Sequence, residues 1–408
     1  MFVHSTHLPQ RFTPDRYSSA EVFDTERERL FSQGWHCIGT LADLPREGDY
    51  FTISLLDHPL LCWRTGGEVH TFLNVCCHRF CLLTGERQGQ FTNRIRCQYH
   101  GWEYDSTGRP RKIPDAPSFR PLVKNQLKLR EYRTETVGQL VFVSLAEDGP
   151  SLREFLGDHF HQLCQEWFDA DRRPTGTFDH WIDCNWKVAI ENVLESYHIA
   201  TVHPRTLCNY PDAESCRHRF HEDGDECVMS YRQSAMRTFQ EWAISRLAGV
   251  EPAYSWHHLI RYPNLVIANS CLVSYVQCVI PTGAGRSLNL IRAFHFPGRR
   301  NFVTRRLADL LLRVGGRHFV GQILREDASI YPQVQAGASA AELPGEGLIS
   351  AREERIFAFQ DYVLKHASTE PSKSIAITNG SHTRSALAGS EAIPTAAIHA
   401  SNAFQIPR

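Results

Sequence analysis

The sequence has almost no net charge and no long block of like charge. Over its 408 residues, 44 Lys and Arg side chains nearly balance 45 Asp and Glu, which gives a formal net charge of −1. This balance argues against nucleic acid or an anionic membrane surface as the main partner. The hydrophobic fraction of 42% and the aromatic fraction of 11% are those of a folded globular protein. The length favours two or three domains.

A uniformly apolar run of membrane-spanning length is also missing. Residues 262–285 carry no charged side chain, but Pro263, Asn264, Asn269 and Pro281 interrupt the run. A spanning helix needs about 20 predominantly apolar residues. The β-branched side chains within this stretch favour buried strands instead, so we expect no membrane segment here.

The cysteines do not form a recognisable disulfide framework. There are 13 of them, irregularly spaced over a long chain. The first residues lead into polar sequence without the apolar core of a secretory signal. Both observations predict a cytoplasmic protein. A GxGxxG motif following a strand is not found, so we do not expect the chain to bind a flavin or a nicotinamide itself.

Two short loops each offer one thiolate and one imidazole. Cys76 is followed by His78, and Cys97 is followed by His100. A Rieske [2Fe–2S] cluster takes two cysteines on one iron and two histidines on the other. The alternative is a structural zinc site, but zinc motifs usually pair Cys with Cys and His with His. The mixed pairs therefore favour a one-electron carrier of moderate potential.

A second set of metal ligands follows about a hundred residues later. The segment Asn185–Ala200 has helical periodicity, which predicts that Glu195 and His198 share a helix face. His203 follows just before Pro204 and can fold back beside His198. Two histidines and one carboxylate form the facial triad of iron(II) oxygenases. Asp327 is the best third ligand, because its helix is expected to bury it and an unpaired buried carboxylate is unfavourable.

Together these motifs resemble the α subunit of the Rieske non-heme iron oxygenases, the ring-hydroxylating dioxygenases and monooxygenases. The pattern Asn-Trp-Lys…Glu-Asn…Glu-x-x-His-x-x-x-x-His resembles the choline and carnitine monooxygenase branch most. The loop differs from the family at Phe80, where glycine is usual. The resemblance implies that Cys76, His78, Cys97 and His100 hold the cluster. It likewise implies that His198, His203 and Asp327 hold iron.

The resemblance also implies an α+β fold with two domains. The expected parts are an N-terminal helical segment (1–35) packing on the catalytic domain, a small all-β Rieske domain (36–148), and a helix-grip, START-like catalytic domain with an antiparallel sheet (149–365). The Ser-, Thr-, Ala- and Gly-rich composition of residues 366–408 predicts a disordered tail. We further predict one helix over residues 16–34, and a helix over Phe302–Gln335 that breaks at Gly315-Gly316. The strands from Trp256 to Phe296 and the segment Asn192–Leu207 are expected to line the substrate pocket.

Electron supply and assembly are implied as well. A separate NAD(P)H-dependent reductase, with or without a ferredoxin, would reduce the cluster. In the family the short path between the metals crosses a subunit boundary, which predicts a homotrimer. Glu195 would bridge His78 or His100 of one chain to His198 of the next, with Asn192 near it. The alternatives are an electron-transfer protein with a ligand-binding domain that lacks catalytic iron, and a zinc-stabilised binding module.

Overall fold

The computed structural model describes residues 2–123, 127–207, 211, 213–230, 235–298 and 300–367. The predicted tail, 366–408, lies outside these residues except for His366 and Ala367, which end the last helix. In the described part of the chain, no helix combines the length and the apolar character needed to cross a membrane. The uncharged segment 262–285 contributes two strands of one antiparallel sheet, as predicted.

The N-terminal segment is a series of short elements, and the prediction of one helix over residues 16–34 is wrong. The elements are β1 (Leu8–Pro9), α1 (Asp15–Ser18), α2 (Ala20–Glu26) and a π-helical turn (Arg27–Phe31). Ser19 separates the two helices, because its backbone is extended and its side chain accepts a hydrogen bond from the Val22 N–H. The buried carboxylate of Glu26 accepts hydrogen bonds from Trp186 and Lys187, which fixes this segment on the later part of the chain.

The next part of the chain is all-β. Its described strands are β2 (Trp35–Thr40), β3 (Asp49–Leu55), β4 (His58–Thr65), β5 (Glu68–Leu73), β6 (Gln88–Gln90), β7 (Ile95–Arg96), β8 (Glu103–Tyr104), β9 (Pro110–Lys112), β10 (Glu131–Val137) and β11 (Leu140–Ser144). One antiparallel sheet has the order β2-β11-β10-β5-β4-β3-β6, and a smaller one has the order β7-β8-β9. Gly66 and Gly67, both with positive φ, make the turn from β4 to β5.

The remainder mixes helices with a second antiparallel sheet. Its described elements are α3 (Leu152–Leu156), α4 (Asp158–Trp167), β12 (Arg173–Thr177), β13 (His180–Ile182), α5 (Trp186–Leu194), α6 (Ile199–Val202), β14 (Arg217–His221), β15 (Gly224–Ser230), α7 (Ala235–Ala248), β16 (Ser255–Arg261), β17 (Leu265–Asn269), β18 (Val273–Gly283), β19 (Arg286–His295), α8 (Phe302–Ala338), β20 (Leu348–Ile349) and α9 (Glu354–Ala367). The sheet order is β12-β19-β18-β17-β16-β15-β14, with β13 also on β19. This architecture confirms the predicted fold class.

Two helix predictions are wrong in ways that shape the site. The helix predicted over Asn185–Ala200 ends at Leu194, and Glu195 is extended with φ −128° and ψ 165°. Glu195 and His198 therefore do not share a helix face. Helix α8 runs through Gly315 and Gly316 without a break. At Gly316 a Cβ atom would lie 3.1 Å from the Thr175 side chain, so this glycine permits close packing of the helix on β12.

The second sheet separates two layers of the molecule. On one face, Ser274 donates to the backbone oxygen of Trp167 at 2.8 Å, and the Phe294 ring packs on Phe168. This face meets α4 and strand β2 of the first sheet. The opposite face packs on α5 and α8, which carry or adjoin the predicted iron ligands. Alternate residues of β18 and β19 thus face either the first sheet or the predicted catalytic side.

Candidate functional site

The first predicted metal site is built from two hairpin-like loops. In one loop the Phe80 N–H donates to the Cys76 carbonyl at 3.1 Å, and in the other the Gly101 N–H donates to the Cys97 carbonyl at 3.1 Å. Both Phe80 and Gly101 adopt positive φ, at 60° and 71°. Phe80 thus keeps the left-handed backbone that glycine would adopt, and its ring is 80% exposed. The departure from the family pattern changes the residue but leaves the turn intact.

The loops place two thiols inside and two imidazoles outside. Cys76 and Cys97 are buried, whereas His100 is exposed and His78 is half-buried. The rings of His78 and His100 lie 4.6 Å apart between centroids. No three of these four side chains bring ligand atoms within 4.8 Å of one another. Ligands of one tetrahedral zinc lie about 4 Å apart or less, so the arrangement fits two irons better than one zinc.

Polar atoms around the loops fit metal ligands. The Cys77 N–H donates to the Tyr104 hydroxyl at 3.1 Å, so the hydroxyl hydrogen is free to point at Cys76 Sγ, also 3.1 Å away. Burial raises the pKa of the Cys76 thiol to about 11, while the Tyr104 hydrogen bond opposes that rise. His78 Nδ1 is buried without a hydrogen-bond partner. A thiolate held by a hydroxyl and an imidazole nitrogen without a partner are what a ligated cluster requires.

The second predicted site brings three ligand atoms together. His198 precedes α6 and His203 follows it, so this single short helix sets their separation. His198 Nε2 and His203 Nε2 lie 3.2 Å apart. Asp327 Oδ1, on α8, is 3.0 Å from His203 Nε2 and 3.5 Å from His198 Nε2. Among the described residues, these three form a group with the geometry to hold one metal ion.

Two glutamates orient the histidine rings from behind. His198 Nδ1 donates to Glu195, and His203 Nδ1 donates to Glu326 at 2.9 Å. When each Nδ1 carries the hydrogen of a neutral ring, each Nε2 presents a lone pair. The two Nε2 atoms and Asp327 Oδ1 then face one another as three acceptors, and Asp327 Oδ1 is buried without a hydrogen-bond partner. A cation satisfies this arrangement, as in other metal sites with carboxylate-backed histidines.

The electrostatics of the site also favour a positive charge. Burial lowers the pKa of His198, but the carboxylates of Asp327 and Glu195 outweigh burial and raise the pKa to about 9. The pKa of His203 is raised for the same reason, with Asp327 as the main opposing partner to burial. Burial tends to raise the pKa of Asp327, yet the two histidines lower it overall. A buried carboxylate that stays ionised beside two imidazoles suits a divalent metal.

The other predicted residues lie in the surroundings of this site. Glu195 contacts His198 of its own chain, and its second oxygen accepts from the backbone N–H groups of Tyr197 and His198. Its predicted contact with a neighbouring subunit stays a prediction. Asn192 accepts a hydrogen bond from the Tyr331 hydroxyl at 3.3 Å. Tyr331 lies one turn after Asp327, so Asn192 supports the helix that carries the carboxylate rather than the ring of a histidine.

Glu326 was not predicted, although it holds one of the two histidines. Its carboxylate accepts from His203 Nδ1 and from the Thr206 hydroxyl. The available signal was its position directly before Asp327: two consecutive acids in a half-buried helix segment. Helical neighbours usually point in different directions, so the sequence assigned only one of them to the site. The side chain of Glu326 nevertheless reaches His203 from the flank.

Comparison with known proteins identifies both halves of the chain. The model of the Rieske [2Fe–2S] domain matches residues 34–133. The model described as the ring hydroxylating alpha subunit (catalytic domain) matches residues 163–369. These ranges include the predicted cluster loops and the predicted iron ligands, respectively.

Relatives of established function include dioxygenases and monooxygenases. The α subunit of 2-aminobenzenesulfonate 2,3-dioxygenase from Alcaligenes sp. is 30% identical over 287 residues, 67% of this chain and 71% of the relative. The glycine betaine monooxygenase oxygenase subunit of Pseudomonas aeruginosa is 29% identical over 219 residues, 52% of this chain and 49% of the relative. The anthranilate 1,2-dioxygenase large subunit of Burkholderia cepacia is 25% identical over 369 residues, 82% of this chain and 86% of the relative.

Solved structures share the fold at lower identity. A quaternary ammonium Rieske monooxygenase superposes with a TM-score of 0.71 at 20% identity, covering 89% of this chain and 96% of the other. Naphthalene 1,2-dioxygenase superposes with a TM-score of 0.67 at 21% identity, covering 89% and 95%. The similar proteins thus include the quaternary ammonium branch, to which the motif spacing pointed, as well as ring dioxygenases.

Proposed function

This chain belongs to the family of Rieske-type ring-hydroxylating oxygenase α subunits, and from that premise we propose that it is the terminal component of a multicomponent oxygenase. As a member it is a non-heme iron oxygenase whose cofactors are a [2Fe–2S] cluster and a mononuclear iron. The proposed reaction uses dioxygen and electrons from an NAD(P)H-dependent reductase to oxidise a small organic substrate. Hydroxylation, dihydroxylation, demethylation and cyclisation all belong to this reaction class.

We assign the iron to His198, His203 and Asp327. The observation that carries this assignment is the convergence of two Nε2 atoms and Asp327 Oδ1 within 3.0 to 3.5 Å. The electron-carrier alternative requires at least one of the three side chains to point away, and none does. Two histidines and one carboxylate leave coordination positions open, which is how such a site accommodates dioxygen.

We assign the cluster to Cys76, His78, Cys97 and His100. The Tyr104 hydrogen bond to Cys76 would stabilise negative charge on the ligating sulfur and so would raise the reduction potential of a bound cluster. His100 is the more exposed of the two imidazoles, which favours it over His78 as the exit for an electron. The cluster supplies single electrons when it is bound.

Around the iron ligands, this chain's own residues orient the rings and handle charge. Glu195 and Glu326 accept the Nδ1 hydrogens of His198 and His203 and keep both Nε2 atoms turned toward Asp327. In a homotrimer, Glu195 would also reach the cluster histidine of the neighbouring chain. The trimer, the reductase and a cytoplasmic location all remain predictions from the sequence and the family resemblance.

The names of the relatives suggest a substrate class to test. Two of them act on anthranilate and on 2-aminobenzenesulfonate, and a third acts on glycine betaine. All three compounds carry an acidic group next to a nitrogen substituent. We therefore take small organic acids with an amino or ammonium group as the first compounds for a turnover screen with a surrogate reductase.

The decisive experiment is metal analysis combined with EPR of the dithionite-reduced protein. The proposal expects about three irons and two acid-labile sulfides per chain with a Rieske-type signal. A His203→Ala protein should lose about one iron and keep the signal, and a Cys97→Ser protein should lose the signal. Zinc without sulfide in the native protein would overturn the proposal. An iron content of two per chain that does not increase after Fe(II) is added would instead support the electron-carrier alternative.

A further inference from the structure

One buried histidine outside the metal sites is satisfied on only one side. His258, on β16, is 3% exposed. Arg355 Nη2 lies 3.0 Å from His258 Nδ1, while the other ring nitrogen, Nε2, is buried without a hydrogen-bond partner. Arg355 is itself held by Asp225, which also accepts a hydrogen bond from the Tyr262 hydroxyl at 2.7 Å. The ring is therefore fixed by a rigid, fully buried network.

The partner of Nδ1 determines which nitrogen carries the hydrogen. A guanidinium has only donors, so Arg355 donates and Nδ1 accepts. In the neutral ring, Nε2 then carries the hydrogen. Burial lowers the pKa of His258 well below its usual value, with Arg355 adding to the effect, so the ring stays neutral. The result is a donor that is fixed in direction, and leaving such a buried donor unpaired is unfavourable.

His258 lies on the side of the sheet that faces the iron ligands. It pairs with Ala268 on β17, and Ala268 pairs with Tyr275 on β18. The rings of His258 and Tyr275 lie 6.5 Å apart between centroids, with the small side chain of Ala268 between them in the row. Burial raises the pKa of the Tyr275 hydroxyl, and the negative charge of Asp327 adds to that rise.

Arg355 links His258 directly to the chain segment that carries the histidines. Its Nη1 atom donates to the carbonyl of Leu194 at 3.2 Å, and Leu194 is the last residue of α5 before Glu195. One guanidinium thus positions both the end of α5 and the ring of His258. The donor ring and the chain segment that leads to the iron ligands are therefore positioned by the same side chain, as expected for a residue that positions a substrate.

We propose that the Nε2–H of His258 binds an acidic oxygen of the substrate, a carboxylate or a sulfonate, and so sets which carbon faces the iron. This inference rests on the proposed oxygenase function and specifies its substrate class. An oxyanion fits because it accepts a hydrogen bond more strongly than a neutral oxygen, and the donor ring is polarised by a cation.

The test is binding by calorimetry in the absence of dioxygen and reductant. The probes are anthranilate and 2-aminobenzenesulfonate, each compared with aniline, and glycine betaine compared with tetramethylammonium. In the native protein at least one acid should bind more tightly than its counterpart. In a His258→Phe protein that acid should bind about 10- to 100-fold more weakly, because a hydrogen bond to a charged group is lost. Its counterpart should change by less than about twofold, since it makes no such bond.

Two further variants make the result specific. In His258→Gln the amide oxygen can still accept from Arg355 and the amide nitrogen can donate, so affinity for the acid should be largely restored. His257→Gln is the matched control, because His257 contacts Glu226 and Trp167 on the opposite face of the sheet. It should leave the affinity of the acid unchanged.

The inference can fail separately from the proposed function. It is overturned if no acid binds the native protein more tightly than its counterpart, a result that needs no variant to fold. It is also overturned if His258→Phe keeps full affinity for the acid. The iron content and the Rieske signal do not depend on His258, so failure of the oxygenase proposal would instead appear in the metal analysis.

Discussion

At the scale of single residues, the iron site depends on side chains that do not touch the metal position. Glu326 is the clearest case, because it holds His203 through Nδ1 and was not predicted. Removing its charge should loosen the ring and weaken iron binding by about 10- to 100-fold, as for other residues behind metal ligands. The change is Glu326→Gln, and the measurement is iron retained per chain during titration with a chelator.

The control for that variant is Glu342→Gln, an exposed acid just after the same helix. It should retain iron as the native protein does. The Rieske signal should be unchanged in both variants, which separates loss of iron from general unfolding. Equal iron retention in the two proteins would show that Glu326 does not position His203.

Phe80 offers a second test at this scale. Its φ of 60° is left-handed, which costs a residue with a Cβ atom about 1–2 kcal/mol, and its exposed ring recovers little by burial. Phe80→Gly should therefore raise the thermal unfolding midpoint of the cluster-loaded protein. Phe80→Ala removes the same ring but keeps the Cβ atom, so it should not. An equal gain in both variants would assign the effect to the ring and not to the backbone.

At the scale of elements, local motifs were more predictable than the helices that carry them. The spacing of Cys76, His78, Cys97 and His100 is short-range, and the loops fold locally around it. The end of α5 at Leu194 was not predictable in the same way. Residues 195–200 keep an apolar periodicity, but the chain turns there so that Glu195 can accept backbone hydrogen bonds and still contact His198. A tertiary requirement overrode helix propensity.

Helix α8 is the opposite case, because it continues where the sequence predicts a break, and it supplies a prediction. Two consecutive glycines disfavour a helix locally, yet packing of Gly316 on Thr175 keeps the helix continuous. A Cβ atom at Gly315 would meet no atom within 4 Å, so Gly315→Ala should stabilise the protein by about 0.5–1 kcal/mol through helix propensity. Gly316→Ala has the same propensity gain but must push on Thr175, so it should gain less or destabilise. Thermal unfolding of the two variants compares them, and an equal gain would exclude the close-packing explanation.

At the scale of the whole molecule, the ligands of the two metal sites could be predicted from the sequence alone, but the contacts between distant segments could not. Ligand identity follows from spacing, whereas the network of Arg355, His258 and Leu194 joins segments that are far apart in the chain. None of these residues forms a motif with another. The substrate class therefore became arguable only from the folded chain.

The route of the electron is the remaining property of the whole assembly, and mixing two inactive chains tests it. Cys97→Ser removes the cluster, and His203→Ala removes the iron, so each protein alone should be inactive. If electrons cross between subunits of a trimer, an iron site is active only under two conditions. Its own chain must keep the iron ligands, and the neighbouring chain that donates the electron must keep its cluster. Random mixing of equal amounts should then restore about one quarter of the native activity.

Transfer within one chain would restore nothing, because no chain in the mixture has both sites. A chain that carries both substitutions, mixed with the His203→Ala protein, is the control, since it contributes no iron site and should give no activity in either case. Adding Glu195→Gln to the Cys97→Ser chain, which keeps the iron ligands, should abolish the restored quarter. The assay is run with added Fe(II), because the loss of a residue behind His198 also weakens iron binding. Restored activity that does not need Glu195 would show that electrons cross the interface by another route.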